Sequence, residues 1–215
     1  MIRSVIDLQG FAIHATDGDL GKVNELYFDD DTWTIRYLVV QTGTWLSGRR
    51  VLISPISVHE ADWQNRQILM SLTQDQVRNS PDIDTAKPVS RQYEREFYKY
   101  YGWDCYWISP GIYEYGNKRD DTQNQHLRST KEVIGYHILA KDGEIGHAED
   151  FLFDDESWRI KYLLVDTSNW RLDKKVIVSP TLIRDIVWAE RQIVVDLERE
   201  EIQTGPMFDP ETLIK

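Results

Sequence analysis

Phe28-Asp29-Asp30-Asp31-Thr32-Trp33-Thr34-Ile35-Arg36-Tyr37-Leu38-Val39-Val40 and Phe153-Asp154-Asp155-Glu156-Ser157-Trp158-Arg159-Ile160-Lys161-Tyr162-Leu163-Leu164-Val165 are two versions of one stretch, set 125 residues apart. Each closes an apolar run on an acidic turn, restarts on tryptophan and continues as a β-branched and aromatic run. The same offset holds outward without a gap. It matches Gly10 with Gly135, Asp17-Gly18 with Asp142-Gly143, Gly21 with Gly146, Trp45 with Trp170, Ser54-Pro55 with Ser179-Pro180, Trp63 with Trp188, and Arg66-Gln67-Ile68 with Arg191-Gln192-Ile193. Roughly a third of the aligned positions are identical, so the chain is a duplication of one unit.

Within a unit the pattern is that of short strands. Asp17-Gly18 and Asp29-Asp30-Asp31-Thr32 are turn signals, and Ser54-Pro55 ends a strand because proline cannot donate to a central ladder. The alternation after the acidic turn predicts Trp33, Ile35, Tyr37 and Val39 on one face, with Thr34 and Arg36 on the other. Ile56 to Glu60 and Gln67 to Leu72 read as a hairpin, and Asp75 to Arg78 as one helical turn before Pro81. The matched glycines are expected in turns that need positive φ. Half a dozen short strands per unit favour a closed sheet, since closure removes exposed edges. The expected fold is all-β: two small barrels in tandem, residues 1–84 and 132–215, joined by an aromatic-rich linker, 85–131, with a short amphipathic helix from Ser90 to Tyr101.

The linker is the part of the chain that occurs once. Phe97, Tyr100, Tyr101, Trp103, Tyr106 and Trp107 are more aromatics than one face of a three-turn helix can bury, so they are candidate partner-binding residues, together with the loop residues Trp45 and Trp170. Packing between the barrels is the alternative for the same side chains. Asp29, Asp30, Asp31, Asp154 and Asp155 are weak metal candidates through their carboxylate oxygens, but they lack the spacing of a calcium loop and aspartate is a good turn residue. The five histidines are scattered: His14 aligns with Leu139, His59 with Arg184 and His147 with Lys22. No Gly-x-Ser-x-Gly elbow, His-x-x-x-His pair or phosphate-cradling glycine loop occurs, so no catalytic residue is nominated and no cofactor is expected.

A net charge of −11, from 36 acidic and 25 basic residues, disfavours a nucleic-acid partner. The one cysteine, Cys105, rules out an intrachain disulfide and fits a reducing cytoplasm. No run reaches membrane-spanning length and the first residues do not read as a leader, so the expected location is cytoplasmic, with room for peripheral association with a membrane complex.

The residues that carry the repeat also carry a resemblance. Gly10, Asp17-Gly18, Gly21, Phe28-Asp29-Asp30, Trp33, Tyr37-Leu38-Val39-Val40, Val51 and Ser54-Pro55, with their counterparts from Gly135 to Pro180, resemble the PRC-barrel domain. That domain is found in the cytoplasmic part of the photosynthetic reaction-centre H subunit and in the C-terminal half of the small-subunit ribosome maturation factor. The resemblance implies a small β-barrel with a partner-binding role. The expected function is a non-catalytic interaction or scaffold module, homodimeric, with an unknown protein partner. A metal- or small-ligand-binding stress protein and a ribosome-assembly helper are the alternatives.

Overall fold

The computed structural model describes residues 1–81, 89, 91–105, 127–167 and 175–208. In chain order, β1 (Ile2–Ser4) and α1 (Val5–Leu8) lead into β2 (Ala12–Ala15), β3 (Gly18–Asp29), β4 (Thr34–Thr42), β5 (Arg50–Ile53), β6 (Val58–Asp62), β7 (Gln67–Met70) and α2 (Gln74–Arg78). After α3 (Arg91–Tyr101), the series returns as β8 (Leu127–Ser129), α4 (Thr130–Val133), β9 (His137–Ala140), β10 (Gly143–Asp154), β11 (Arg159–Asp166), β12 (Lys175–Val178), β13 (Ile183–Val187), β14 (Gln192–Val195) and α5 (Arg199–Thr204). The protein is an all-β structure with short helices, as its turn-punctuated sequence predicts.

Each half is the same ladder. β2, β3, β4 and β5 pair antiparallel in turn, while β7 lies parallel to β2 and holds β6 antiparallel. β9 to β14 repeat this order.

The halves are not beads on a string, because each gives its first strand to the other. β1 pairs with β10, Arg3 opposite Phe153, and β8 pairs with β3, Arg128 opposite Phe28. β8 lies in the stretch that the sequence presents as linker. The two hairpin tips add a reciprocal bond: Ile35 donates its N–H to the Trp158 carbonyl at 2.8 Å, and Ile160 donates to the Trp33 carbonyl at 2.7 Å. Trp33 and Trp158 take left-handed conformations, φ 53° and 56°, which stack their rings on Phe28 and Phe153. Phe28 in turn meets Phe151 of the other half at 5.2 Å between ring centroids, and one hydrophobic core runs through both halves.

The strict alternation expected after Trp33 is broken once in each half. Tyr27 pairs with Tyr37 but the next residue, Phe28, pairs with Ile35, so Arg36 is an extra residue in β4. Lys161 is the equivalent in β11, between Tyr162 opposite Leu152 and Ile160 opposite Phe153. An extra residue shifts the period of two by one place. Ile35 therefore enters the shared core with Leu38 and Val40, while Tyr37 and Val39 turn to the outer face. The single face predicted for Ile35, Tyr37 and Val39 is thus corrected, and both faces of β4 are buried.

Gly21 and Gly146 also depart from expectation, lying inside β3 and β10 rather than in turns. Their need is close approach: a Cβ would stand 2.1 Å from the Gln41 carbonyl oxygen and 2.0 Å from that of Asp166. Both also have positive φ, 139° and 157°. Gly21→Ala or Gly146→Ala is expected to cost about 3 kcal/mol or more by chemical denaturation, since backbone must move to make room. Gly10→Ala meets no atom within 4 Å and carries only the penalty of its φ of 80°.

Candidate partner-binding site

The outer face of the first half is built from Tyr27, Tyr37, Val39 and Leu52, and α3 lies over it. The helix presents Phe97 and Tyr98, both fully buried, with Phe97 edge-on to Tyr37 at 5.3 Å. Glu94, one turn earlier and also buried, accepts a hydrogen bond from the Tyr37 hydroxyl at 3.1 Å. Burial pushes the Tyr98 hydroxyl up to about 12. The helix ends at Gly102, φ 72°, where Trp103 N–H reaches back to the Tyr98 carbonyl at 2.9 Å. Tyr93 and Tyr100 tie it to the end of the first half through the carbonyls of Pro81 and Gln76.

The candidate partner residues therefore separate. Phe97 is interior and has no surface for a partner. Tyr101 stacks on Trp103 at 4.6 Å, and both are half-buried against the chain's own cores. Tyr100 is the exposed member, at 40%. Trp45 is half-buried, and its indole N–H donates to the Leu20 carbonyl at 2.9 Å. Tyr106, Trp107 and Trp170 lie outside the described residues. Cys105, beside this cluster, is half-buried, and burial raises its thiol pKa.

The acidic turns are occupied structurally. Asp29 caps its own turn by accepting from the N–H groups of Asp31 and Thr32, and Asp154 caps the second by accepting from the Glu156 N–H and the Ser157 hydroxyl. Asp30 accepts from Arg128 at 2.5 Å, and Asp155 from Arg3 at 2.9 Å. These arginines lie 125 residues apart and sit over Trp188 and Trp63, one on each half. Among the described residues no three His, Cys, Asp or Glu side chains gather as a metal would require.

The structure also reveals a likeness that the alignment of histidines conceals. His14 Nδ1 lies 2.7 Å from Asp19, and His137 Nδ1 lies 2.8 Å from Glu144. Asp19 and Glu144 are matched positions. The histidines differ by two places in the repeat, which on a strand is the same face.

The matching positions in the second half are Leu152, Tyr162, Leu164 and Ile177, of which Leu152 and Leu164 are buried and Tyr162 and Ile177 half-buried. A cleft of about 630 Å³ opens there, with Leu152 and Leu164 among its lining and Arg3, Ile6, Trp63 and Lys175 around them. Asp150 is buried in its wall. Its carboxylate accepts from the Ser4 hydroxyl, from Ile6 N–H at 3.2 Å and from Phe151 N–H at 2.7 Å, clasping the exchanged β1 and α1. Glu25, the equivalent in the first half, accepts from Ser129 at 2.5 Å. Burial pushes Asp150 up to about 6, against the pull of those three donors.

A duplicated ladder with exchanged first strands, and polar pairs that lock the exchange, defines a structural barrel module. Residues 4–77 match the family model described as the PRC-barrel domain, so the chain carries a PRC-barrel domain spanning the end of β1 to α2. No curated protein matches the chain. Among the described residues no helix is long and apolar enough to cross a membrane.

The clasp makes a pH prediction. A carboxylate raised in the folded state stabilises the fold while protonated, so its contribution is full below about pH 4 and is lost as pH rises through 6, a swing of roughly 3 kcal/mol. Denaturation of wild type and Asp150→Asn at pH 4.5 and 7.5 checks it. The asparagine variant is expected to gain on wild type as pH rises; parallel pH profiles would remove Asp150 as their source.

Proposed function

We propose that the protein is a non-catalytic interaction module of the PRC-barrel type, acting in the cytoplasm on a protein partner and self-associating as a dimer. One observation carries the reading. Polar residues at matched positions of the two copies, which a duplicated active site would retain, are bonded to each other across the halves: Arg3 with Asp155 and Arg128 with Asp30, Ser4 with Asp150 and Ser129 with Glu25. Such pairs hold a scaffold together and leave function to surfaces where the copies differ. The single-copy α3 supplies one of these, with Tyr100 exposed beside the stacked Tyr101 and Trp103.

Sedimentation at micromolar concentration is expected to show self-association that Tyr100→Asp weakens more than Tyr100→Phe, which loses only the bond to the Gln76 carbonyl. A strict monomer, whose co-purifying proteins from the native cell are the same with and without Tyr100→Asp, would count against the reading. Turnover of any substrate by the purified chain would overturn its non-catalytic part.

A further inference from the structure

The cleft beside the exchanged β1 and α1 is a place where the union of the halves leaves space. At about 630 Å³ it has the volume of a small-molecule site, and residues of both halves line it. Part of its apolar lining is open to a ligand: Ile6 is 43% exposed, and Ile2, Trp63 and Phe208 are half-buried.

Six charged side chains line the cleft, and four are already engaged. Arg3 is held by Asp155, Lys175 and Glu149 hold each other, and Asp150 clasps Ser4 and Ile6. Arg66 and Asp7 remain, both exposed and neither with an ion partner among the described residues. Each is nevertheless fixed at the rim. Arg66 lies over the Phe11 ring at 4.8 Å and donates one N–H to the Gln9 carbonyl at 2.9 Å, while Asp7 sits in α1, its own N–H capped by Ser4 at 3.0 Å. An unpaired cation and an unpaired anion held beside one partly apolar cleft are positioned in advance for a ligand that carries both charges.

We propose that the cleft binds a zwitterionic ligand of amino-acid or short-peptide size with an apolar or aromatic side chain. Its carboxylate meets the Arg66 guanidinium, whose planar fork suits two carboxylate oxygens; its ammonium meets the Asp7 carboxylate; and its side chain lies against Ile6 and Trp63. The Trp63 indole N–H bonds nothing among the described residues and offers a further donor. The second half lacks two of these features. At an offset of 125, Ile6 is the exposed Lys131, and Trp63 is Trp188, whose indole nitrogen is shielded from solvent. The matched rim thus sets a second cation where the apolar side chain would lie, although Arg66 is kept there as Arg191.

The probes are L-phenylalanine and the dipeptide L-phenylalanyl-L-leucine, each also in N-acetylated and C-amidated form, titrated by calorimetry into the full chain. Saturable binding of at least one zwitterion is expected, with each of its blocked forms about tenfold weaker, the scale of losing one hydrogen bond between charged groups. Arg66→Gln should weaken the zwitterion about tenfold and leave the amidated form unaffected, and Asp7→Asn should weaken it likewise and leave the acetylated form unaffected. Ile6→Lys, which installs the residue of the second half, should weaken it several-fold, and Arg191→Gln should change nothing.

No saturable binding of either zwitterion at millimolar concentration, blocked forms that bind as well as the zwitterion, or an equal loss with Arg191→Gln overturns the proposal. The blocked probes are read on the wild-type chain, so the outcome does not hang on the folding of a variant. None of these results touches the interaction reading above, which stands or falls on the sedimentation, co-purification and turnover measurements.

Discussion

The reciprocal exchange of first strands is the constraint on which the rest depends. β1 and α1 belong in sequence to the first half but complete the second, and β8 and α4 do the reverse. Each exchanged strand is short, yet it brings an arginine that pairs with the acidic turn of the opposite hairpin while lying over a tryptophan of its own half. The tips of those hairpins bond to each other through Trp33 and Trp158. Buried polar groups that are fully paired specify one arrangement, because any slip would leave a charge or carbonyl without its partner.

This joining explains why the two barrels share a core. Phe28, Phe151, Phe153 and Trp63 meet across the halves, so the apolar surface that would be exposed on a separated half is covered by the other. It also ranks the residues. Among those kept in both copies, Arg3 and Arg128, Trp33 and Trp158 hold the union, and Ser54 and Ser179 shape turns. The outer face of the first half is covered by α3, and a cleft bordered by Leu152 and Leu164 lies beside the exchanged β1 and α1 on the second.

Several features were legible because they depend on local chemistry. The acidic turns, the strand-ending Ser54-Pro55, the helix through Phe97 and Tyr98 and the all-β character follow from φ preferences, missing donors and periodicity. The bulges at Arg36 and Lys161 were not legible, since nothing in a run of alternating residues marks where pairing skips one. Gly21 read as a turn glycine because sequence shows the missing side chain but not the carbonyl packed against it. Aromatic candidates for a partner site were nominated by type, and the burial of Phe97 against the exposure of Tyr100 required the helix to be docked. Asp150 carries no mark in the sequence, as an ordinary aspartate becomes a clasp only when distant segments of the chain surround it.

By itself the sequence determined that one β-rich unit occurs twice, at a fixed offset, with a single aromatic helix between the copies. Those are properties of neighbouring residues, and propensity and pattern record them. Only the tertiary structure decided which half each first strand completes, which matched residues lock the halves together, and which face α3 covers. These depend on contacts between residues more than a hundred positions apart, whose partners are chosen by core packing and by the pairing of buried charge, and neither leaves a local trace.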